Sequence, residues 1–565
     1  MATALVFQTD SPRLTTFIYQ EPLNTSTVYC HTPQVNQLTA LLLAHGIHHI
    51  VVCPGSRNAT IVHNLHECGL PFTLHPVTDE RSAGFVALGL SLALQAPTAV
   101  CVTSGSALLG CIPAAAEAYY RHLPLLVISA DRPMQWIGQY DGQTLPQNGA
   151  LAPYCPTYQL CVTHNAQDEW YNNRSINEAI LSLQRGEGGP AHINVPIEEP
   201  MFQFSVPDLP QERVIREIRP NYVSPLPAEI LEEIQGARLP AVIIGQYEKG
   251  DIRAEIDTLE RQGQLLILPE ILSDVKGSFR MNILDTLDED NETMRPDVIL
   301  HIGGNFVHKR FKQLLRNHDC RVIRIGMDQE MPDTFCHLDT VLPIPTQPVL
   351  HQLAEALPHK HTGVMLAQQL YEKAIQQKTA DQPLSDNLTQ QLTLASLYQI
   401  LQAQGTSFTL HLANSRTVRV AGNVFPSGEQ QIYGNRGTNG IEGSLSTAVG
   451  YALGMWGLSI AIIGDLSFFY DANALWNMQL PADLRILLLN NGRGGIFDHL
   501  PGLSQSPARD ELIAAGHQDF SAEGIAQTFH VGYHCIHEVG EMNQVIEEWL
   551  KPAEQAQILE VFTLD

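Results

Sequence analysis

The sequence predicts an α/β protein made of three parallel-sheet domains. Short apolar runs alternate with helical patterns along most of the chain, and strands alternating with helices pack as parallel sheets. The runs end in glycine-rich or polar residues, as in VVCPGSR, VTSGS, ISADRP and IIGD. Loops at the carboxyl ends of parallel strands are where such sheets carry function. A polar, proline-rich stretch, VPDLPQERVIREIRPNYVSPLP, then breaks the alternation with the composition of a linker.

The elements follow in order. VNQLTALLLAHG reads as a helix, HIVVCPGSR as a buried strand and its loop, and TDERSAGFVALGLSLA as a loop entering a small-residue helix. AVCVTSGS and LPLLVISADRP are further strands, and INVPIEEPMF closes the first unit. The second unit starts at LPAVIIGQ and includes DVILHIGGNFVHKRF; HKHTGVMLAQQL leads into the third. That unit holds TSFTLHLANSRTVR, QQIYGNRGTNGIEGSLSTAVGYALG, SIAIIGDLSFFYDANALW and LRILLLNNGRGGIF. The expected domains are 1–205, with an N-terminal extension over 1–30, then 206–365 and 366–565.

Composition narrows the function. The chain has 565 residues, is 44% hydrophobic and 16% charged, and carries a net charge of -26. That balance argues against a general nucleic-acid or anionic-membrane binder. No apolar run reaches membrane-spanning length, and the N-terminus lacks a secretory signal pattern. The ten cysteines are scattered, without a C-x-x-C pair, so reduced thiols in a cytoplasmic protein are expected. The histidines of HGIHHI have no second cluster at metal-ligand spacing and read as structural.

The sharpest motif lies in the third unit. Asp465 follows one buried strand, and Asn490 and Asn491 follow the next. Neighbouring parallel strands would bring Asp465 and Asn491 together at one sheet edge. A carboxylate, an amide oxygen and a loop carbonyl are hard ligands suited to Mg²⁺ with phosphate oxygens. Read alone, Asp465 would be a helix cap and the asparagines a turn. At TDER, Asp79 reads as a helix cap with Glu80 favoured by the positive end of the dipole.

The Gly-Asp and Asn-Asn pair resembles the diphosphate-binding motif of thiamine diphosphate (ThDP) enzymes. The three-unit layout resembles theirs too: a pyrimidine-binding domain, a central domain and a diphosphate-binding domain. The resemblance implies that Asp465, Asn491 and the carbonyl of Arg493 ligate Mg²⁺ (or Mn²⁺). It also implies that Glu80 faces N1′ of the cofactor's aminopyrimidine, where hydrogen bonding favours the tautomer that removes the C2 proton. A glutamate in that role must be partly buried to share the proton. Glu80 and Asp465 would reach one cofactor from different subunits, which implies a homodimer or a dimer of dimers.

Arginines and polar residues recur at the expected active-site loops, and arginine makes bidentate bonds to carboxylates. Together PGSR, TDERSAGF, TSGSA, ADRP, NSxxxR, NRGxxGIxG, GDLSxxxDxNAL and NNxxGGIF resemble the SEPHCHC synthase family of menaquinone biosynthesis, from about residue 35 to the C-terminus. The substrates implied are 2-oxoglutarate, which loses carbon dioxide, and isochorismate, which accepts the succinyl semialdehyde unit. By this resemblance Ser415 and Arg419 hold the distal carboxylate of 2-oxoglutarate. Ser56, Arg57, Arg132, Lys309, Arg310 and Arg436 orient isochorismate or the intermediates, and Gln143 bonds near the reacting carbons. Asn414, Gly464 and Ser467 belong to the cofactor site. Ile441 props the cofactor into its bent shape, and Ile496, Phe497 and Leu500 form an apolar wall.

Leu466 after Gly-Asp, where ThDP enzymes usually have glycine, agrees with this branch, as does Ser467. Two residues depart from it: Gly110 stands where relatives often have asparagine, and Arg493 adds a bulky cation to the metal loop. The rival readings are another ThDP-dependent lyase or synthase and a catalytically silent ThDP-fold protein. The first is disfavoured by Leu466 and by the lack of a G-x-G-x-x-G pattern, the second by the presence of Glu80, Asp465 and Asn491.

Overall fold

The computed structural model describes residues 28–218, 224–248, 251–277, 295–328, 330–380, 387–476, 480–500, 502–517 and 520–565. Residues 1–27 of the expected N-terminal extension and 219–223 of the linker lie outside them.

Three parallel sheets form the frame. In space, the first runs Thr73–Pro76, His49–Val52, Thr98–Val102, Leu125–Asp131, Ala191–Pro196, Thr157–Gln159. The third runs Gln431–Tyr433, Phe408–Leu412, Leu458–Gly464, Leu484–Asn490, Gln557–Phe562, Gly532–Ile536. Numbered within its own sheet, each has the order 2-1-3-4-6-5. The middle sheet is Leu266–Pro269, Pro240–Ile244, Val298–Ile302, Arg321–Ile325, Leu338–Leu342, in the order 2-1-3-4-5. A two-stranded antiparallel pair, Tyr29–Cys30 with Phe204–Val206, ties the start of the first unit to its end.

The central strands are buried along their whole length, as in TAVCV, LLVISAD and RILLL. Helices cover both faces, so these strands read as continuous apolar runs rather than alternating ones. In each sheet the chain reverses direction between the first and third strands of its own order. The crevice at such a switch point is the usual ligand position in open α/β sheets. In the first sheet those strands lead into Ser56–Arg57 and Thr103–Ser106; in the third they lead into Asn414–Ser415 and Asp465.

The first and third units share one apolar core. The helix Glu80–Leu94 packs on the helix Ser444–Gly454, with Phe85, Val86 and Leu90 against Leu445, Ala448 and Ala452. The two backbones nearly touch. A Cβ on Gly89 would lie 2.1 Å from the Thr447 carbonyl oxygen, and one on Gly450 would lie 2.0 Å from that of Val86. Only glycine permits that approach.

Candidate active site

The two switch points place most of the expected site residues. Asp465 begins the helix Asp465–Tyr470 directly after its strand, and Asn491 follows the adjacent strand, whose Leu489 pairs with Gly464. Burial pushes the Asp465 carboxyl above its ordinary range, against the pull of the Leu466 amide and His517. Its Oδ1 accepts from the Leu466 N–H at 2.8 Å, and its Oδ2 lies 3.0 Å from His517 Nε2. The Asn491 Nδ2 donates to the Asp565 main-chain oxygen at 3.1 Å. Its amide oxygen has no partner among the described residues. The Arg493 carbonyl accepts from Gly495 N–H at 3.0 Å and keeps its second lone pair. A buried carboxylate raised by desolvation, an open amide oxygen and a loop carbonyl fit a hard divalent cation. The Arg493 side chain pairs with Asp498 at 2.9 Å.

The residues expected at the cofactor are held by their own loops. Asn414 is buried, and its Nδ2 donates to the carbonyls of Asn435 and Gly440, both at 2.6 Å. Ser467 Oγ donates to the Ile441 carbonyl at 2.5 Å. Ile441 is thus fixed through its backbone while its side chain stays 37% exposed, and Leu500 is 41% exposed. Exposed aliphatic side chains on braced loops fit an apolar prop and wall. Ile496 and Phe497 precede Leu500 in the turn Gly495–His499, and both are half-buried.

Glu80 is the first residue of its helix and is half-buried. Asp79 is the cap, accepting from the Arg81 and Ser82 amides at 2.9 and 3.3 Å. Glu80 is therefore not needed for capping. It lies beside the buried thiols of Cys53 and Cys111, which burial and nearby negative charge, including that of Glu80, push upward and keep neutral. A Cβ on Gly110 would come within 3.0 Å of the Glu80 Cβ. Among the described residues no contact joins Glu80 to Asp465, Asn491 or Arg493. Arg81 donates to the Tyr470 carbonyl at 2.7 Å and Asn473 to Asp79 at 2.7 Å, which ties this corner to the far end of the helix that Asp465 begins.

The expected cations form separate groups. Arg57 is buried, donates to the Ile197 carbonyl at 3.0 Å and pairs with Glu199 at 3.3 Å. Burial and the neighbouring Arg132 charge lower its pKa. Arg132 pairs with Asp141 at 3.0 Å. Ser56 beside them is exposed. Gln143 is exposed and tied to the TSGS loop twice: its Nε2 donates to the Ser104 carbonyl at 2.7 Å, and its carbonyl accepts from Ser104 Oγ at 2.9 Å.

A second group lies where the middle and third units meet. Arg436 is buried, and its Nη1 donates to Asn414 Oδ1 at 2.9 Å. Burial and the Arg419 charge push it down to about 10. Arg419 donates to the Ser415 carbonyl and is lowered by burial, with Glu270 opposing. Lys312 is lowered by burial and by Arg436. Glu270, fully buried, is the nearby acid, and its two oxygens accept the amides of Ile271 and Val307, each at 2.9 Å. Ser415 has φ 71 and stands at the N-cap position of the helix Arg416–Val424, where its side chain makes no capping bond. Lys309 and Arg310 are exposed at the start of the helix Lys309–Arg316, with no contact to the other site cations among those described here.

Sequence reasoning did not reach Glu117, Glu270, His517 or the acids Asp141 and Glu199 that partner the arginines. Glu117 carried a signal, a lone charge in the apolar helix IPAAAEAYY. His517 carried none, since it sits in a loop and meets Asp465 only in three dimensions.

Comparison with known proteins agrees with this geometry. Residues 35–151 match the family described as thiamine pyrophosphate enzyme, N-terminal TPP binding domain. The chain is similar to proteins named 2-succinyl-5-enolpyruvyl-6-hydroxy-3-cyclohexene-1-carboxylate synthase. It is 40% identical to that of Phocaeicola vulgatus, covering 95% of this chain and 96% of the relative. For Bacteroides thetaiotaomicron the identity is 38%, covering 95% and 97%. For Cytophaga hutchinsonii it is 33%, covering 94% and 96%. Similarity of this extent, over a chain whose strand ends assemble these loops, shows that the protein belongs to the SEPHCHC synthase family of thiamine diphosphate-dependent enzymes.

Proposed function

We propose that this protein decarboxylates 2-oxoglutarate and adds the succinyl semialdehyde unit to the ring alkene of isochorismate, giving SEPHCHC and carbon dioxide in menaquinone biosynthesis. One observation of this chain carries the reading beyond family membership. Arg419, Arg436 and Lys312 crowd together, each lowered by burial, and the nearby acid Glu270 is already bonded to two amides. Such a group is completed by an anion, and both substrates are dicarboxylates.

Bound thiamine diphosphate supplies the carbanion chemistry. Asp465, Asn491 and the Arg493 carbonyl would hold Mg²⁺ or Mn²⁺ against the diphosphate. Glu80, relieved of capping by Asp79, would share a proton with the cofactor's aminopyrimidine. Ser415 and Arg419 bind the distal carboxylate of 2-oxoglutarate. Arg57, Arg132 and Arg436, with Ser56, Lys309 and Arg310, orient isochorismate, while Gln143 presents its amide toward the reacting carbons. Ile496, Phe497 and Leu500 exclude water. The working unit is a homodimer or dimer of dimers with sites between subunits, in the cytoplasm. Exposed Tyr119, Tyr120, Trp456 and Trp476 support such an assembly, and no described helix is long and apolar enough to cross a membrane. We take the domains as 1–205, 206–365 and 366–565, divisions that leave each parallel sheet whole although they cut the strand Phe204–Val206 and the helix Thr362–Ala380.

The test is carbon dioxide release from 2-oxoglutarate with ThDP and Mg²⁺, with and without isochorismate. Fast release only with isochorismate, together with the succinylated ring acid, is the expected result. Release that isochorismate does not change would move the function to another acceptor.

A further inference from the structure

The residues between Gly434 and Thr438 carry Arg436 and lead to Ile441, and side chains from two other parts of the chain grip them. Glu117, on the helix Ile112–Tyr120 of the first unit, is fully buried. Its Oε1 accepts the Gly437 amide at 3.0 Å, and its Oε2 accepts the Thr438 amide at 2.7 Å and the Thr438 hydroxyl at 2.9 Å. Arg121, one turn on, donates to Asn435 Oδ1 at 3.0 Å and pairs with both oxygens of Glu248 at 2.6 and 2.7 Å. From the middle unit, Gln246 Nε2 donates to the Gly434 carbonyl at 2.8 Å. A Cβ on Gly437 would fall 2.9 Å from the Glu117 carbonyl and carboxylate oxygens, so the loop sits directly on the acid.

We infer that Glu117 is a positioning residue: its carboxylate clamps the 434–438 loop of the same chain and thereby aims Arg436 at the substrate carboxylate. The inference rests on the reading of Arg436 as a substrate-binding residue. A buried carboxylate that served stability alone would find donors anywhere in its surroundings. The three hydrogen-bond donors to Glu117 all lie within two residues of Arg436, while Arg121 pairs with the same carboxylate from its own helix at 3.6 Å, and the remaining grips fall on the other side of Arg436. Arg436 alone in the loop extends its charge away, toward Asn414 and Arg419. A glutamine amide cannot replace the acid, because its nitrogen would face N–H donors.

The experiment uses the full-length holoenzyme with Glu117→Gln, Thr438→Val, Arg436→Ala and the double variant Glu117→Gln/Arg436→Ala. Glu117→Gln is expected to raise KM for at least one dicarboxylate substrate about tenfold, with a smaller fall in kcat. ThDP affinity stays within about threefold, as expected if the effect runs through the substrate arginine. In the Arg436→Ala background the same change costs less than about twofold, because both substitutions act through one interaction. Thr438→Val shifts KM in the same direction by less, and carries the test if Glu117→Gln does not fold. Hydrogen exchange should show protection lost over 434–442 and kept in the strand Leu458–Gly464. Multiplicative effects of the two substitutions, or a lowered melting temperature with KM unchanged, would overturn the inference. If wild-type protein does not turn over the two substrates, the reading of the reaction falls instead. Exchange then decides the clamp, and unchanged protection over 434–442 in Glu117→Gln overturns it.

Discussion

Glu80 stands at a helix start already capped by Asp79, so its charge is available for chemistry. Glu80→Gln should keep ThDP affinity while slowing C2 deprotonation by at least about 100-fold, read by exchange of the C2 proton. Turnover near wild type would remove Glu80 from its assigned role. Gly110 bears on the same group. A methyl there meets the Glu80 Cβ at 3.0 Å and must displace it by a few tenths of an ångström. Gly110→Ala is expected to lower kcat about fivefold with ThDP affinity unchanged, since small misplacements of a reacting group are costly. Asp465 and Asn491 were legible because each ends a buried apolar strand, a signal that survives in one dimension. Glu270 and the acids beside Arg57 and Arg132 were not, because what gives them meaning is a neighbour far away in sequence; the lone charge of Glu117 stood out in its apolar helix, but its partners did not.

At the scale of elements, the joint between the helices Glu80–Leu94 and Ser444–Gly454 is set by small residues and by one buried acid. Asp471 is fully buried beside it and accepts the Ser446 amide and hydroxyl, both at 2.8 Å. Burial raises its pKa from 3.8 to about 6. The folded state therefore holds a proton that the unfolded chain has lost between those values. The stability this contributes is complete below the unfolded value and is lost as pH rises through the folded one. The loss amounts to about 3 kcal/mol. Asp471→Asn should flatten that slope, melting higher than wild type near neutral pH, with the advantage gone at about pH 4. Thermal melts across that range check it, and a gap independent of pH would contradict it. The helices themselves were readable from ERSAGFVALGLSLALQ and SLSTAVGYALG. That they pack on each other was not, since small residues license a close approach without naming the partner.

Across the whole molecule, the first and third sheets share one strand order although the sequence shows no internal repeat. Strand order depends on which apolar runs are buried and how they are connected, so many sequences satisfy it and the likeness leaves no repeated letters. The shared order also gives each sheet a switch point, one holding the PGSR and TSGS loops and the other Asn414 and Asp465. Chemistry that needs Glu80 and Asp465 together must bring both to one cofactor, and among the described residues no contact within one chain joins the two side chains. The proposed dimer can therefore be tested by complementation. Glu80→Gln and Asp465→Ala homodimers should each be nearly inactive. In a hybrid with sites between subunits, one site receives both damaged residues and the other receives both intact ones. Random reassembly makes half of the dimers hybrids, each with one good site of two, so activity should return to roughly a quarter of wild type. If instead each site is built within one chain, every site in the mixture carries one lesion and no activity returns. Unfolding and refolding the two variants together, with separately refolded variants as the reference, separates these outcomes.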